Sequence, residues 1–459
     1  LGAHQYISNE DQKKEKHFRI QLFSAQQKLV DLKEFDPKHQ GYTREKFEKQ
    51  EAYEKFIKSL EKKYPTYYQY KYDTLIPSIL DLRSQVLKKD QSFVSYFSGD
   101  KHLYFLTIDQ DSASLNRMET DYKNYISELQ DICVDRSILN QNYARYSELA
   151  HKLYKDLYEP LEIRTKRVII SPDDNFFPFE LLLRDKNNPN SFLLEEHAFS
   201  YTYSAGYLMK SNKKRSLEMP TFLGMAPVKY QSYLQQVPLN GADLSLSNIS
   251  SQFSSPALFT NEKATKQEFI QNLPRYTIVH LYSHAEADEV NAEFTIFFND
   301  SSVQVSDLQL LGNLSTKLIV LSACKTGVGK VMKGEGVFSL ARGFAAAGIP
   351  SSITSLWQID NHSTYQINEL FYKYLGKGLP LDIALQEAKM EFLRVHDKTY
   401  DLPYFWAGSI LLGNSEGFLP EKGYRLLSFP NLLGVFLIVL LILSSLIYHK
   451  KFQRNKLII

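Results

Sequence analysis

The stretch Lys317–Gly327, "KLIVLSACKTG", decides how the rest of the chain is read. Four apolar positions, Leu318 to Leu321, run into Ser-Ala-Cys and then into a Lys-Thr-Gly turn. A short apolar run closed by turn residues is the pattern of a strand buried on both faces, as in a parallel sheet covered by helices. A thiol used only for packing could sit anywhere in such a run. Cys324 stands where the run ends, and open α/β sheets present their reactive groups at the carboxyl ends of strands.

A second run has the same form. "YTIVHLYSHAEAD", from Tyr276, is apolar from Ile278 and leaves its strand at His284. If the two strands are neighbours in register, their ends bring an imidazole and a thiol together. A free thiol is mostly protonated near neutral pH, so a nucleophilic cysteine needs a base or a lowered pKa. Histidine suits that role because it titrates near the working pH. An acyl intermediate also needs N–H donors aimed at its oxyanion, and the amides of Cys324 and Ala285 are the candidates.

Structural readings of the same residues stay open. A cysteine at a strand end also serves as a small buried hydrophobe. His280 and His284 share a strand face with Tyr282 and suit core or rim positions equally well. "HLYSH" lacks the glutamate of the zinc-protease helix motif and lies on a strand, so no metal site is expected. "GVGKVMKGEG" has neither the spacing nor the Ser/Thr of a phosphate loop and reads as a flexible loop beside the cysteine.

Outward from this pair, further strands are expected at "KRVII", "TFLGMAP", "FTIFF" and "SSITSLW", and helices at "GEGVFSLARGFAAAG" and from Thr364 to Leu375. Strands alternating with helices predict an α/β domain with a mostly parallel sheet flanked by helices. Upstream, "TLIPSILDLRSQVL" reads as a helix and "SFVSYFSGDKHLYFLTID" as a hairpin around Ser98-Gly99-Asp100. A long helical stretch then runs from Asp121 to about Ile163 and carries Cys133 as a packing residue. The expected organisation is an α-helical region over 1–72, a helix/hairpin/helix lead-in over 73–156, the α/β domain over 157–414 and a linker over 415–428. In the first region Phe47, Tyr53, Phe56 and Leu60 fall at helical spacing, and Pro65 ends the pattern. Paired amphipathic helices of this kind would suit the end of a helical-repeat array, although no clean internal period is present.

A formal net charge of +2 over 459 residues sets up no large positive field, so nucleic acid is not an expected partner. Two cysteines cannot build a disulfide framework or a cysteine zinc site. The leading Leu1 suggests a trimmed chain from which a leader or longer region has been removed. "FPNLLGVFLIVLLILSSLIY", Phe429 to Tyr448, has no charged residue and is long enough as a helix to cross about 30 Å of hydrocarbon. The expectation is a single transmembrane helix over 429–448 in a lipid bilayer, followed by a basic tail over 449–459. The lysines and arginine of that tail lean the topology towards a cytoplasmic tail and an extracytoplasmic domain.

With these residues in view, the chain resembles the CHAT domain family, caspase- and separase-like cysteine proteases often attached to tetratricopeptide repeats. The resemblance rests, in order, on "RVIISPDDNFFPFELLL", "FLLEEHAFSYTYSA", "IVHLYSHAEA", "LIVLSACKTGVGK", "GEGVFSLARGFAAAGIPSSITSLWQIDN", "LFYKYLGKGLPLDIALQEAKMEFL" and "PYFWAGSILLGN". It implies a caspase-like sheet, a His284/Cys324 dyad and cleavage of a peptide bond in a protein substrate, with no cofactor. The position after the histidine is commonly Gly in relatives and is Ala285 here, which costs little unless that backbone needs φ > 0. Asp360 falls where separase-like enzymes place an acid that holds the substrate's basic side chain; its composition equally suits a helix N-cap. The expectation is thus a membrane-anchored cysteine endopeptidase whose N-terminal helices bind a regulatory protein. The alternatives are a catalytically silent scaffold of the same fold, and a cysteine acyltransferase or amidase sharing the dyad.

Overall fold

The two apolar runs become neighbouring strands near one end of a mixed sheet. The computed structural model describes residues 8–30, 37–63, 77–99, 102–119, 122–173, 178–211, 219–288, 293–304, 308, 314–322, 331–332, 336–337, 340–357 and 360–418. In chain order the strands are β1 (Gln91–Ser98), β2 (Leu103–Ile108), β3 (Ala113–Met118), β4 (Arg167–Ser171), β5 (Ala198–Tyr201), β6 (Phe222–Ala226), β7 (Ala257–Thr260) and β8 (Ile278–Tyr282). They continue as β9 (Ala285–Asp288), β10 (Glu293–Phe297), β11 (Ser302–Gln304), β12 (Leu318–Ser322), β13 (Val331–Met332), β14 (Gly336–Val337), β15 (Ser351–Ser355) and β16 (Ser409–Gly413).

Among the described residues one sheet of 11 strands runs in the order β3-β2-β1-β4-β5-β16-β15-β12-β8-β6-β7. Strands β7, β6, β8, β12 and β15 are parallel to one another. Strand β16, the last of them in the chain, lies between β5 and β15. It is antiparallel to β15 and meets β5 at Leu412 and Tyr201. It ends at Gly413, whose φ of +89° and 2.1 Å clearance from Pro350 O to any added Cβ admit only glycine.

Alternation within the strands separates two cores. Ile278 and Tyr282 of β8, with Leu318 and Val320 of β12, join the cluster under the helices Ala242–Ser250, Asn361–Gly376 and Leu381–Val395. Val279, Leu281, Ile319 and Leu321 face the other way, against Phe269, Phe344 and the small sheet β11-β10-β9. Both faces are therefore dry, which is why these strands read as unbroken apolar runs rather than alternating ones.

Several upstream elements differ from the pattern expected. The hairpin forms, with β1 antiparallel to β2 and parallel to β4. The helical stretch expected from Asp121 to about Ile163 is divided into Tyr122–Cys133, Arg136–Gln141 and Tyr143–Leu153, the last continued by helical turns to Leu161. Asp135 breaks it by accepting hydrogen bonds from the amides of Ser137 and Ile138, so a new helix starts there. Cys133 is fully buried, and that burial pushes its thiol far above the ordinary range, as suits a packing residue. "FTIFF" leaves the main sheet and becomes β10 of the small one.

The helices Asn9–Val30 and His39–Lys63 pack on each other as a hairpin, with Lys28 on Glu45 near one end and Lys63 on Asp11 near the other. Ile57 and Leu60 are its buried positions in the second helix, whereas Phe47 is 68% exposed. Residues 415–418, the first of the expected linker, are held against the sheet. Ser415 contacts Arg167 and Gln91, and Phe418 is buried.

The membrane expectation is corrected. No helix among the described residues is long and apolar enough to cross a membrane. The two that have the length, Asn9–Val30 and His39–Lys63, carry charges throughout and cannot shed them in hydrocarbon. Residues 429–448, on which the transmembrane helix rested, lie outside the described residues, as does the tail. The single-pass assignment and the lean towards an extracytoplasmic domain are withdrawn.

Candidate active site

Strands β8 and β12 are direct neighbours, parallel and in register from Ile278 opposite Leu318 to Tyr282 opposite Ser322. The Ser283 amide donates to Ser322 O at 3.4 Å and carries the pairing one residue further. His284 leaves the end of β8. Cys324 follows Ser322 by two residues in the sequence and lies outside the described residues.

The His284 side chain is 9% exposed, and its Nε2 lies 2.8 Å from the carbonyl oxygen of Val237. A carbonyl can only accept, so Nε2 carries the proton and Nδ1 keeps a free lone pair in the neutral ring. The Tyr230 ring packs on the imidazole at 5.3 Å. Both contacts come from the loop over 227–240, which is pinned from several sides. The Leu239 amide donates to Val228 O, and Asn299 Nδ2 donates to Lys229 O. Within the loop Val228 has φ +53°, a conformation that a β-branched residue adopts only under strain.

Ala285 opens β9 opposite Ile296 of β10. The Phe297 amide donates to His284 O at 3.0 Å, so by ladder alternation the Ala285 N–H points away from β10. Strand β9 is the edge of its small sheet, and that N–H faces the open side. Ala285 is not among the positive-φ residues, so its methyl group strains nothing. Asp360 caps the helix Asn361–Gly376 and accepts from the Ser363 amide at 3.0 Å and the Ser363 hydroxyl at 3.1 Å.

The two histidines of "HLYSH" occupy different worlds. His280 is fully buried, bonded through Nδ1 to the Tyr372 hydroxyl at 3.1 Å and stacked on Tyr282 at 4.2 Å. Its Nε2 has no hydrogen-bond partner among the described residues. Burial pulls its pKa down to about 3, so it is neutral and makes no charge available for chemistry. An unfolded histidine titrates near 6.5. The folded state therefore keeps its full stability from this group above about pH 6.5 and loses it as pH falls towards 3. At pH 5 the loss is about 2 kcal/mol. Urea unfolding of the His280→Leu variant is expected to show a pH 7-to-5 decrease smaller than the parent's by that amount. An equal decrease in both would exonerate His280.

Beneath the strand ends lies a polar group that sequence reasoning did not single out. Asn368, buried on the helix Asn361–Gly376, donates from Nδ2 to the Tyr282 hydroxyl at 3.2 Å and to Ser322 Oγ at 2.9 Å. The Tyr282 hydroxyl also lies 3.0 Å from Ser245 Oγ. The only prior signal was an asparagine on the buried stripe of an amphipathic helix. Nothing in the sequence pointed to the Val237 carbonyl, because a backbone oxygen carries no residue identity.

Comparison with known proteins adds the family. Residues 147–414 match the CHAT domain, more than half of the 459-residue chain. Tetratricopeptide repeat protein 28 of Homo sapiens is 34% identical over 114 residues, and that of Mus musculus 34% over 101 residues. These stretches cover 25% and 22% of this chain but only 4% of either relative, so the chain spans a small part of their length. Among solved structures the chain is similar to the Arg-specific cysteine proteinase gingipain R, at 10% identity and a TM-score of 0.43, over 60% of this chain and 68% of that one. It is similar also to the separase–securin complex of Saccharomyces cerevisiae, at 10% identity and a TM-score of 0.47, over 74% of this chain and 31% of that one. Likenesses this distant do not bear on chemistry.

Proposed function

The chain belongs to the CHAT domain family, and from that premise we propose that it is a cysteine peptidase acting on a protein substrate. The observation that carries the reading is the pairing of β8 with β12, from whose ends His284 and Cys324 follow at equal distance in sequence. In this reading Cys324 Sγ attacks the scissile carbonyl while His284 Nδ1 takes the thiol proton. The tetrahedral oxyanion is held by the amides of Cys324 and Ala285. As the C–N bond breaks, the imidazolium returns its proton to the leaving amine, and water then hydrolyses the thioester and restores the thiol. The Val237 carbonyl stabilises the imidazolium through Nε2 and keeps the ring turned. Asp360 is left as a helix cap, and the N-terminal helical hairpin is the surface on which a regulatory protein would bind.

Thiol labelling tests the reading without knowledge of the substrate. Cys133 is buried and stays silent, so iodoacetamide reports on Cys324 alone. The alkylation rate against pH is expected to give an apparent pKa well below the ordinary value of about 8.5. A thiol that titrates at about 8.5 would favour the non-cleaving scaffold.

A further inference from the structure

We propose that Asn368 is a positioning residue for the candidate dyad, tying the last residues of β8 and β12 into one register. This rests on the peptidase reading above. Among the described residues the last backbone link between the two strand ends is the long Ser283 N–H to Ser322 O bond, which leaves room for a second constraint on their spacing. Asn368 supplies that constraint from below. One hydrogen of Nδ2 goes to Tyr282 and the other to Ser322, each two residues before His284 and Cys324 respectively. A carboxamide presents its two hydrogens in a fixed plane, so this single group sets the distance between its two acceptors.

The arrangement is braced on both sides. Tyr282 is buried and cannot turn away, since its ring meets His280 at 4.2 Å and Tyr365 at 4.9 Å. Its hydroxyl, which accepts from Asn368, also shares a hydrogen bond with the Ser245 hydroxyl on the helix Ala242–Ser250. Asn368 itself sits between Ile367 and the buried Phe371 turn of its helix, where an amide without partners would be costly. A carboxamide is therefore kept in this core for what it holds. Asn368 touches no reacting atom and acts only through the strands that lead to the two proposed catalytic groups.

The test compares the alkylation rate of Cys324 by iodoacetamide against pH in the wild-type chain, Asn368→Leu and Ser322→Ala. Leucine keeps the branched outline with somewhat more bulk and removes both bonds; Ser322→Ala removes only the one on β12. Both variants are expected to raise the apparent thiol pKa towards about 8.5. At pH 6.5 the rate should then drop, because less of the thiol is ionised: about tenfold if the pKa rises by one. A urea midpoint is measured alongside. Loss of stability in Asn368→Leu with an unmoved pH profile makes the residue merely structural and overturns the proposal. If that variant does not fold, an unmoved profile in Ser322→Ala overturns it equally. A wild-type thiol that already titrates at about 8.5 overturns the peptidase reading itself, and this proposal with it.

Discussion

Cys324→Ala is expected to lower peptide-bond cleavage by at least about a thousandfold, leaving only the residual that binding and the oxyanion donors supply. The methyl group offers no lone pair to the scissile carbonyl, and no neighbouring cysteine can substitute, because Cys133 is buried within the helix Tyr122–Cys133. His284→Ala should cost nearly as much, since nucleophile and base act as one unit and removing either disables both. The two losses should therefore not multiply in the double variant. Cys324→Ser retains a nucleophilic atom but one that the imidazole deprotonates poorly, and it should fall close to alanine. The check is cleavage of a peptide library by each purified variant, with the urea midpoint confirming that each is folded. Cleavage surviving unchanged in Cys324→Ala would sink the assignment.

The second large effect is on stability. Lys389 on the helix Leu381–Val395 places Nζ 3.2 Å from Glu180 Oε1, and both side chains are almost wholly buried. Tyr201 at the end of β5 donates to the other carboxylate oxygen at 2.6 Å, and accepts in turn from the Phe179 amide. Burial pulls the Lys389 ammonium below its usual range, and Glu180 pushes it partly back. Glu180→Ala leaves that ammonium in the core with no counter-charge. The expected cost is about 3–5 kcal/mol, a large share of a domain's total stability. With its folded pKa depressed below the unfolded value of about 10.4, Lys389 is least tolerable when charged, so stability of the variant should recover as pH rises from 7 towards 10. Glu180→Leu with Lys389→Met should regain most of the loss at pH 7, short of the acceptor that Tyr201 no longer has. A single variant as stable as the parent at pH 7 would show the pair to be dispensable.

What was legible in the sequence is what double-sided burial prints there. Strands β8 and β12 carry apolar runs because helices cover one face and Phe269, Phe344 and the small sheet cover the other. Strand β3 is the opposite case. It is exposed along almost its whole length, so its composition holds no alternation to read. The break in the helix after Cys133 turned on one carboxylate, Asp135, competing for two amides, which a hydrophobic period does not register. The membrane reading is not upheld, because no helix among the described residues is long and apolar enough to cross a membrane. At the site, strand β8 and the position of His284 just beyond its carboxyl end were legible. The Val237 carbonyl was not, because its contact depends on how the loop over 227–240 turns back. Asp360 carried two meanings in sequence, and the structure records the cap.

The placement of β16 has a bearing on how the molecule is made. Ribosomes deliver the chain from its amino end, so the strand that occupies the middle of the sheet emerges after every other described strand. Until then β5 and β15 each present a bare edge, and the half bearing His284 has no partner strand through which to join the half bearing Glu180. Emergence of Ser409–Gly413 is what unites the two halves, and a nascent chain stalled before Ser409 carries two bare strand edges open to wrong pairing.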